Sequence, residues 1–207
     1  MTLHSAEAAP GDAPPKAKIF ISYSRKDLAF VDKLDAALKA YDFDTLIDRS
    51  AIADLEDWRK RIGALIAQAN DIVFVLSPDA LASTECKKEV DYAVSLNKRF
   101  APIVYRRVED GAVPDELARI NRIDFVDAPF EAAVDRLVKA LNTDLAWVRK
   151  HTEFGEQALR WAEAGRPGPR GLLLRSPVLE EAERWIASRR SCAGRSPTIW
   201  FRQGCGG

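Results

Sequence analysis

The run Ile72-Val73-Phe74-Val75-Leu76 constrains the fold more than any other feature of this chain. It is apolar at consecutive positions, β-branched or aromatic at four of its five residues, and closed by Ser77-Pro78-Asp79. An alternating strand buries one face, but a continuous run of this length reads as a strand buried on both, at the centre of a parallel sheet. A parallel sheet needs crossover helices on its two faces, so the chain around this run should alternate strand and helix.

The alternation is present. Lys18-Ile19-Phe20-Ile21-Ser22-Tyr23 predicts strand one, and Leu28, Val31, Leu34 and Leu38 recur at helical spacing to about Ala40, with Asp27 available as N-cap. Strand two is expected over Phe43 to Ile47. A loop over Arg49 to Asp57 then leads to a second helix with Trp58, Ile62, Leu65, Ile66 and Ala69 on its apolar face. After the central strand, Ser83 can cap a third helix running to about Asn97. Ile103-Val104-Tyr105 gives strand four, Ile123 to Val126 a short fifth, and Phe130 to Leu141 a closing helix. The expected fold class is α/β, a flavodoxin-like doubly wound five-stranded parallel sheet with a C-terminal helical appendage. The domain reading is a disordered leader over residues 1–16, the α/β domain over 17–142, a helical extension over 143–189 and a disordered tail over 190–207. Within the extension, Gly165 to Gly171 is a breaker-rich loop and Val178 to Ser188 one more amphipathic helix.

Composition removes several function classes. The chain's 31 basic and 31 acidic side chains cancel, which argues against a general nucleic-acid or anionic-membrane binder. Apolar runs fall far short of the ~20 residues that span a bilayer, so no membrane segment is expected in this chain. Cys86, Cys192 and Cys205 are odd in number and lack metal-ligand spacing, and the N-terminus does not read as a secretory signal, which together predict a cytoplasmic setting. His4 and His151 are the only histidines, too few for a His-based metal site or a Ser-His-Asp triad. No metal is expected.

In an open parallel sheet the ligand sits beyond the carboxyl ends of the strands. That edge collects Tyr23, Ser24 and Arg25 after strand one, Asp48 after strand two, and Ser77 after strand three. No GxGxxG follows strand one and no GK[ST] occurs, so nucleotide loops of those kinds are absent. A receiver-type phosphorylation site fails too, because Ser24-Arg25 and Leu76-Ser77 stand where it needs acids. Glu89 is the unusual carboxylate: on the third helix it falls within the apolar arc of Cys86, Val90, Ala93, Val94 and Leu96. Partial burial there, and Glu85 one turn earlier, would both raise its pKa. The same placement also suits a boundary glutamate with its stem packed and its head in water. Spacing alone leaves both open.

Phe20-Ile21-Ser22-Tyr23-Ser24 resembles the first box of TIR (Toll/interleukin-1 receptor) domains, bacterial type, and is followed in order by Asp48, Trp58, Ile62, Ile66, Ile72 to Ser77, Ser83 and Cys86-Lys87-Lys88-Glu89. The resemblance implies one of two functions: self-association or pairing with other TIR domains in signalling, or cleavage of NAD at the nicotinamide-ribose bond, in signalling or defence. In the second group a helix glutamate three residues after a Cys is the catalytic carboxylate, the place of Glu89. By the same resemblance Ser22, Tyr23, Ser24, Arg25, Asp48, Trp58, Ser77 and Cys86 line the NAD site, with Tyr23 as an aromatic wall, Arg25 facing the pyrophosphate and Ser77 near the ribose. NAD is then the substrate and no cofactor is needed. Self-association would order the loop after strand two beside the pocket, and a neighbour would complete the site. Tyr23 and Trp58 also suit packing, Arg25 a solvated turn and Ser77 a turn former.

Two positions depart from the family pattern. Glu85 stands where members often carry Trp, and Leu55 precedes Glu56-Asp57-Trp58 where a glycine is usual, removing the easy access to φ > 0 there. The C-terminal part, with Trp147, His151-Thr152, Trp161, Gly165-Arg166, Leu172 to Arg175 and Ala182-Glu183 before Trp185, resembles the segment that follows TIR domains in large bacterial proteins. It suggests a fragment of such a receptor or a shortened paralogue. A nucleoside deoxyribosyltransferase-like enzyme, also built on such a sheet with one glutamate, fits the Ser22-Tyr23 and Trp58 spacing less well.

Overall fold

The computed structural model describes residues 15–49, 55–165 and 178–190, with side chains from 60 onward in the second segment and up to 187 in the third. Residues 1–14 of the expected leader, 191–207 of the expected tail, 50–54 of the loop after strand two and 166–177, with most of the breaker-rich loop, lie outside the described residues.

Five strands form one parallel sheet: β1 (Lys18–Ser22), β2 (Asp44–Leu46), β3 (Asp71–Leu76), β4 (Arg99–Val104) and β5 (Ile123–Asp124). Their order is β2-β1-β3-β4-β5, the flavodoxin-like arrangement, with β3 at the centre. Every residue of β3 is buried. Helices α1 (Leu28–Ala40) and α6 (Phe130–Asn142) cover one face; α2 (Leu55–Gln68) and α4 (Thr84–Ser95) cover the other. Alternation along the strands assigns side chains to these two cores. Ile72, Phe74 and Leu76 join Phe20 and Phe100 under Ile62, Ile66, Cys86, Val90 and Ala93. Val73 and Val75 join Ile19, Ile21 and Ile103 under Val31, Leu34, Leu38, Val134 and Leu137.

Several boundaries differ from the sequence expectation, each for a local reason. β4 begins at Arg99 rather than Ile103, because Pro102, which reads as a breaker, sits where β5 does not yet pair; β5 meets only Ile103 and Val104. The helix α2 starts at Leu55, before Trp58. Ser77-Pro78-Asp79 starts a short helix, α3 (Pro78–Leu81), with Ser77 as its N-cap and Pro at N1. A further turn of helix, α5 (Asp115–Ala118), carries buried Leu117 into the core. Asp27 occupies the N-cap of α1 but makes no side-chain capping bond. Its carboxylate is turned inward instead.

The extension consists of α7 (Leu145–Glu163) and α8 (Val178–Arg190). Among the described residues no helix is long and apolar enough to cross a membrane.

Candidate active site

Alternation along β1 builds the site. Phe20 and Ser22 point to the face covered by α2 and α4, and Ile19 and Ile21 point to the other. Ser22 is the last residue of β1 and almost fully buried. Above it, Ser83 caps α4 by accepting from the Cys86 amide (3.3 Å), which fixes the helix start and turns Cys86, Glu89 and Val90 toward the strand ends. The Ser22 hydroxyl donates to Glu89 Oε2 at 2.6 Å.

Glu89 is partly buried, and that desolvation pushes its carboxyl pKa up from 4.5 to about 7; the Ser22 hydrogen bond opposes this, while the charges of Asp48 and Glu85 add to it. Both forms of this acid are therefore populated near neutral pH. Cys86 is buried beside the pair, its thiol pushed up to about 11, chiefly by burial. It is an inert packing neighbour at neutral pH rather than a nucleophile.

Tyr23 falls on the opposite face from Ser22, partly buried in the α1/α6 core, and its hydroxyl donates to the Asp48 carbonyl at 3.1 Å. It ties the segment after β2 to the end of β1. The Asp48 side chain, little exposed, meets Arg61 of α2 at 3.3 Å. Ser24 turns back on its own chain, accepting from the Lys26 amide as cap of the 3-10 turn Arg25–Asp27. Arg25 is exposed on that turn, and its charge acts on the Tyr23 phenol. Trp58 lies in the first turn of α2, with its side chain outside the described set.

Ser77 is placed differently. Its side chain is fully buried, donating to Asp27 Oδ2 (2.5 Å) and accepting from the Ala80 amide (3.0 Å). Arg106, at the end of β4, donates to Asp27 Oδ1 (2.7 Å) and also pairs with Asp79, which Lys26 reaches from the other side. This network ties together the ends of β1, β3 and β4. The structure thus gathers Ser22, Cys86 and Glu89 at one point, adds Asp48 through its charge and Tyr23 through the Asp48 backbone, and keeps the Ser77 hydroxyl inside the wall. Sequence reasoning did not single out Arg61 or the inward role of Asp27. Arg61 follows Trp58 in the sequence by three residues, a helical spacing that could have drawn attention to it.

Among the described residues no group of three or more His, Cys, Asp or Glu side chains is placed to hold a metal ion. The chemistry available is that of one carboxyl group, poised near neutrality, at the carboxyl edge of a parallel sheet.

No curated protein matches the chain. Among solved structures, the TIR domain of the Toll-related receptor TRR-2 from Hydra magnipapillata superposes with TM-score 0.50 at 22% identity, covering 62% of this chain and 97% of that one. The TIR domains of the activated Roq1 resistosome, which directly recognises the pathogen effector XopQ, give 0.50 at 16% identity over 61% of this chain and 99% of theirs. A metazoan TIR-STING receptor from C. gigas, in complex with 2',3'-cGAMP, gives 0.51 at 20% identity, covering 65% of this chain and 42% of that one. These likenesses establish the fold. The family model described as TIR domain matches residues 19–138, more than half of the chain's 207 residues, and on that match this chain belongs to the TIR domain family.

Proposed function

We propose that this protein cleaves NAD at the bond between nicotinamide and ribose, with Glu89 as the catalytic carboxylate, when copies of the chain associate. The observation that carries the reading is the Ser22–Glu89 hydrogen bond at the carboxyl edge of the sheet. It holds one carboxyl group, partly desolvated, facing the place where this fold binds ligands.

The reaction suits a site of this composition. Nicotinamide departs as a neutral molecule from a cationic ring, so no acid need protonate it, and the main demand is stabilising positive charge at the anomeric carbon. Ionised Glu89 supplies the negative charge that stabilises this cationic centre and accepts from the ribose hydroxyls. Arg25, on the exposed turn after β1, suits the pyrophosphate, and Tyr23 and Asp48 hold the segment after β2 against the mouth. Water then takes the ribosyl carbon to give ADP-ribose, or an internal nucleophile gives a cyclic product. The chain's membership of the TIR family and its likeness to a domain solved within the Roq1 resistosome support association as the active state.

A second reading, a module that only pairs with other TIR domains, is favoured by Glu85, which stands exposed one turn before Glu89 where an aromatic wall would serve the nicotinamide. The test is nicotinamide release from NAD by purified protein clustered on beads, comparing the parent with Glu89→Gln and Glu89→Ala. Glu89→Gln should lose about a hundredfold or more in rate. No release by the clustered parent would leave the pairing module as the function, and full activity in the variants would remove Glu89 from the chemistry.

A further inference from the structure

The face that β1 and β2 share brings a second carboxylate to the neighbourhood of Glu89. The two strands pair in parallel, Lys18 with Asp44, Ile19 with Thr45 and Phe20 with Leu46, and Phe20 and Leu46 both lie in the core under α2 and α4. Two residues further along each chain, the same alternation puts Ser22 and Asp48 side by side on that face. Ile47, the residue between Leu46 and Asp48, packs in the opposite core, and so does Tyr23, the residue after Ser22. The Tyr23 hydroxyl donates to the Asp48 carbonyl (3.1 Å), which keeps the two chain ends together past the last ladder pair. Ser22 in turn donates to Glu89 Oε2 (2.6 Å). Asp48 thus stands one strand away from the hydroxyl that holds the acid.

Arg61 meets this carboxylate from α2. Its Nη2 lies 3.3 Å from Asp48 Oδ1, with the Asp48 side chain 14% exposed and the Arg61 side chain 47%. The anion is covered and the cation stands at the rim, one turn before Leu65, which packs on the core beneath. An ion pair this open to water adds little to stability, so its consequence lies in the charge it leaves beside Glu89. Two neighbouring carboxylates each hold back the loss of the other's proton. Of the described residues around Glu89, β1 supplies the neutral Ser22 hydroxyl, and α4 supplies the buried Cys86 thiol and Glu85, whose charge Lys88 meets at 3.7 Å. Asp48 is the acid that comes from another element, and its charge and that of Glu85 add to the burial that raises Glu89. A guanidinium paired with Asp48 limits that repulsion, because a neutralised pair acts on a neighbouring charge less than a bare anion does.

We propose that Arg61 is a positioning residue of this site: it holds the Asp48 carboxylate toward α2 and offsets its charge, leaving Glu89 as the acid that ionises at the mouth. The role rests on the proposed NAD chemistry for its purpose, but its physical effect is measured without NAD. Full-length protein carrying carboxyl-labelled glutamate gives the titration midpoint of Glu89 by NMR, its signal identified by loss in Glu89→Gln, and nicotinamide release against pH is followed on the same preparations. Arg61→Gln should move the midpoint, and with it the acid limb, to higher pH by about half a unit or more. Arg61→Lys, which keeps the charge, should stay close to the parent. In an Asp48→Asn background Arg61→Gln should give no further shift, since the anion it offsets is gone. An unmoved midpoint in Arg61→Gln overturns the proposal. So does a shift of equal size in the Asp48→Asn background, which would mean that Arg61 acts on Glu89 directly. The expected shifts with no nicotinamide release, in the parent or the variants, would sustain the Arg61 role and count against the NAD reading alone.

Discussion

Residues with similar side chains have different jobs at this edge. Ser22 and Ser77 are both buried serines at strand ends, but Ser22 donates to Glu89, whereas Ser77 donates inward to Asp27 and caps α3. Ser77→Ala is therefore expected to lower stability by about 1–3 kcal/mol, since it strips a buried carboxylate of a donor, and to leave the KM for NAD unchanged. Urea unfolding and steady-state kinetics on one preparation check both halves. Asp48 raises the Glu89 pKa and the Ser22 hydrogen bond lowers it. Asp48→Asn should accordingly move the acid limb of the rate profile to lower pH, and Ser22→Ala should move it to higher pH, with opposite signs from two neighbours of one acid. How much of this was legible in the sequence follows from periodicity. The helical arc places Glu89 at the boundary of α4 and Glu85 beside it, and both bear on the pKa as that position predicts. The partner of Glu89 lies 67 residues away in the chain, and no local pattern could pair the two. Period-two alternation, applied to β1, separates Ser22 from Tyr23; it is the one local rule that distinguishes their roles.

At the scale of elements, Ser83 governs where α4 begins and hence where Glu89 points. Its side chain satisfies the Cys86 amide, so Ser83→Ala should cost about 1 kcal/mol and lower kcat through the helix start, which thermal unfolding and kinetics can read together. In α7, His151 stacks on Trp147 (5.6 Å), and burial, with the Lys98 charge as a second cause, holds its pKa at about 4 against the ordinary 6.5. The undocked helix thus binds more protons between those values, so the docking contribution is full above pH 6.5 and is lost as pH falls toward 4. Acidification from about pH 7 to 5 should weaken the Trp147–Trp185 signal in near-ultraviolet circular dichroism, and His151→Phe should remove that dependence. The continuous run in β3 announced the centre of the sheet, and five strands with their order followed from alternation with helices. What stayed hidden were α3 and α5, one turn each, too short to show a period, and the first half of β4, masked by Pro102. The docking of α7 on α2 was hidden because hydrophobic spacing shows that a helix has an apolar face but not which surface covers it.

Taken whole, the molecule is a parallel sheet whose two ends are occupied differently. The carboxyl end presents Glu89, Asp48, Tyr23 and Arg25, with the Asp27–Ser77–Arg106 network locking three strand ends beneath them. At the amino end, Arg99 joins buried Asp71 to the carbonyls at the end of α6, Lys98 donates to the Ala67 and Ala69 carbonyls, and Thr152 of the extension donates to the Ala69 carbonyl. Helix α7 packs against α2, one of the two helices on the flank that holds the acid. The central claim is that Glu89, as a carboxylate, breaks the nicotinamide-ribose bond. The most direct measurement is the pH profile of nicotinamide release by the clustered full-length chain from about pH 5 to 9. A carboxylate mechanism requires the rate to rise through an acid limb centred near the Glu89 pKa of about 7, and Glu89→Gln to be flat and near background across the range. Release that is absent at every pH, or that keeps its rate and its limb in Glu89→Gln, would contradict it.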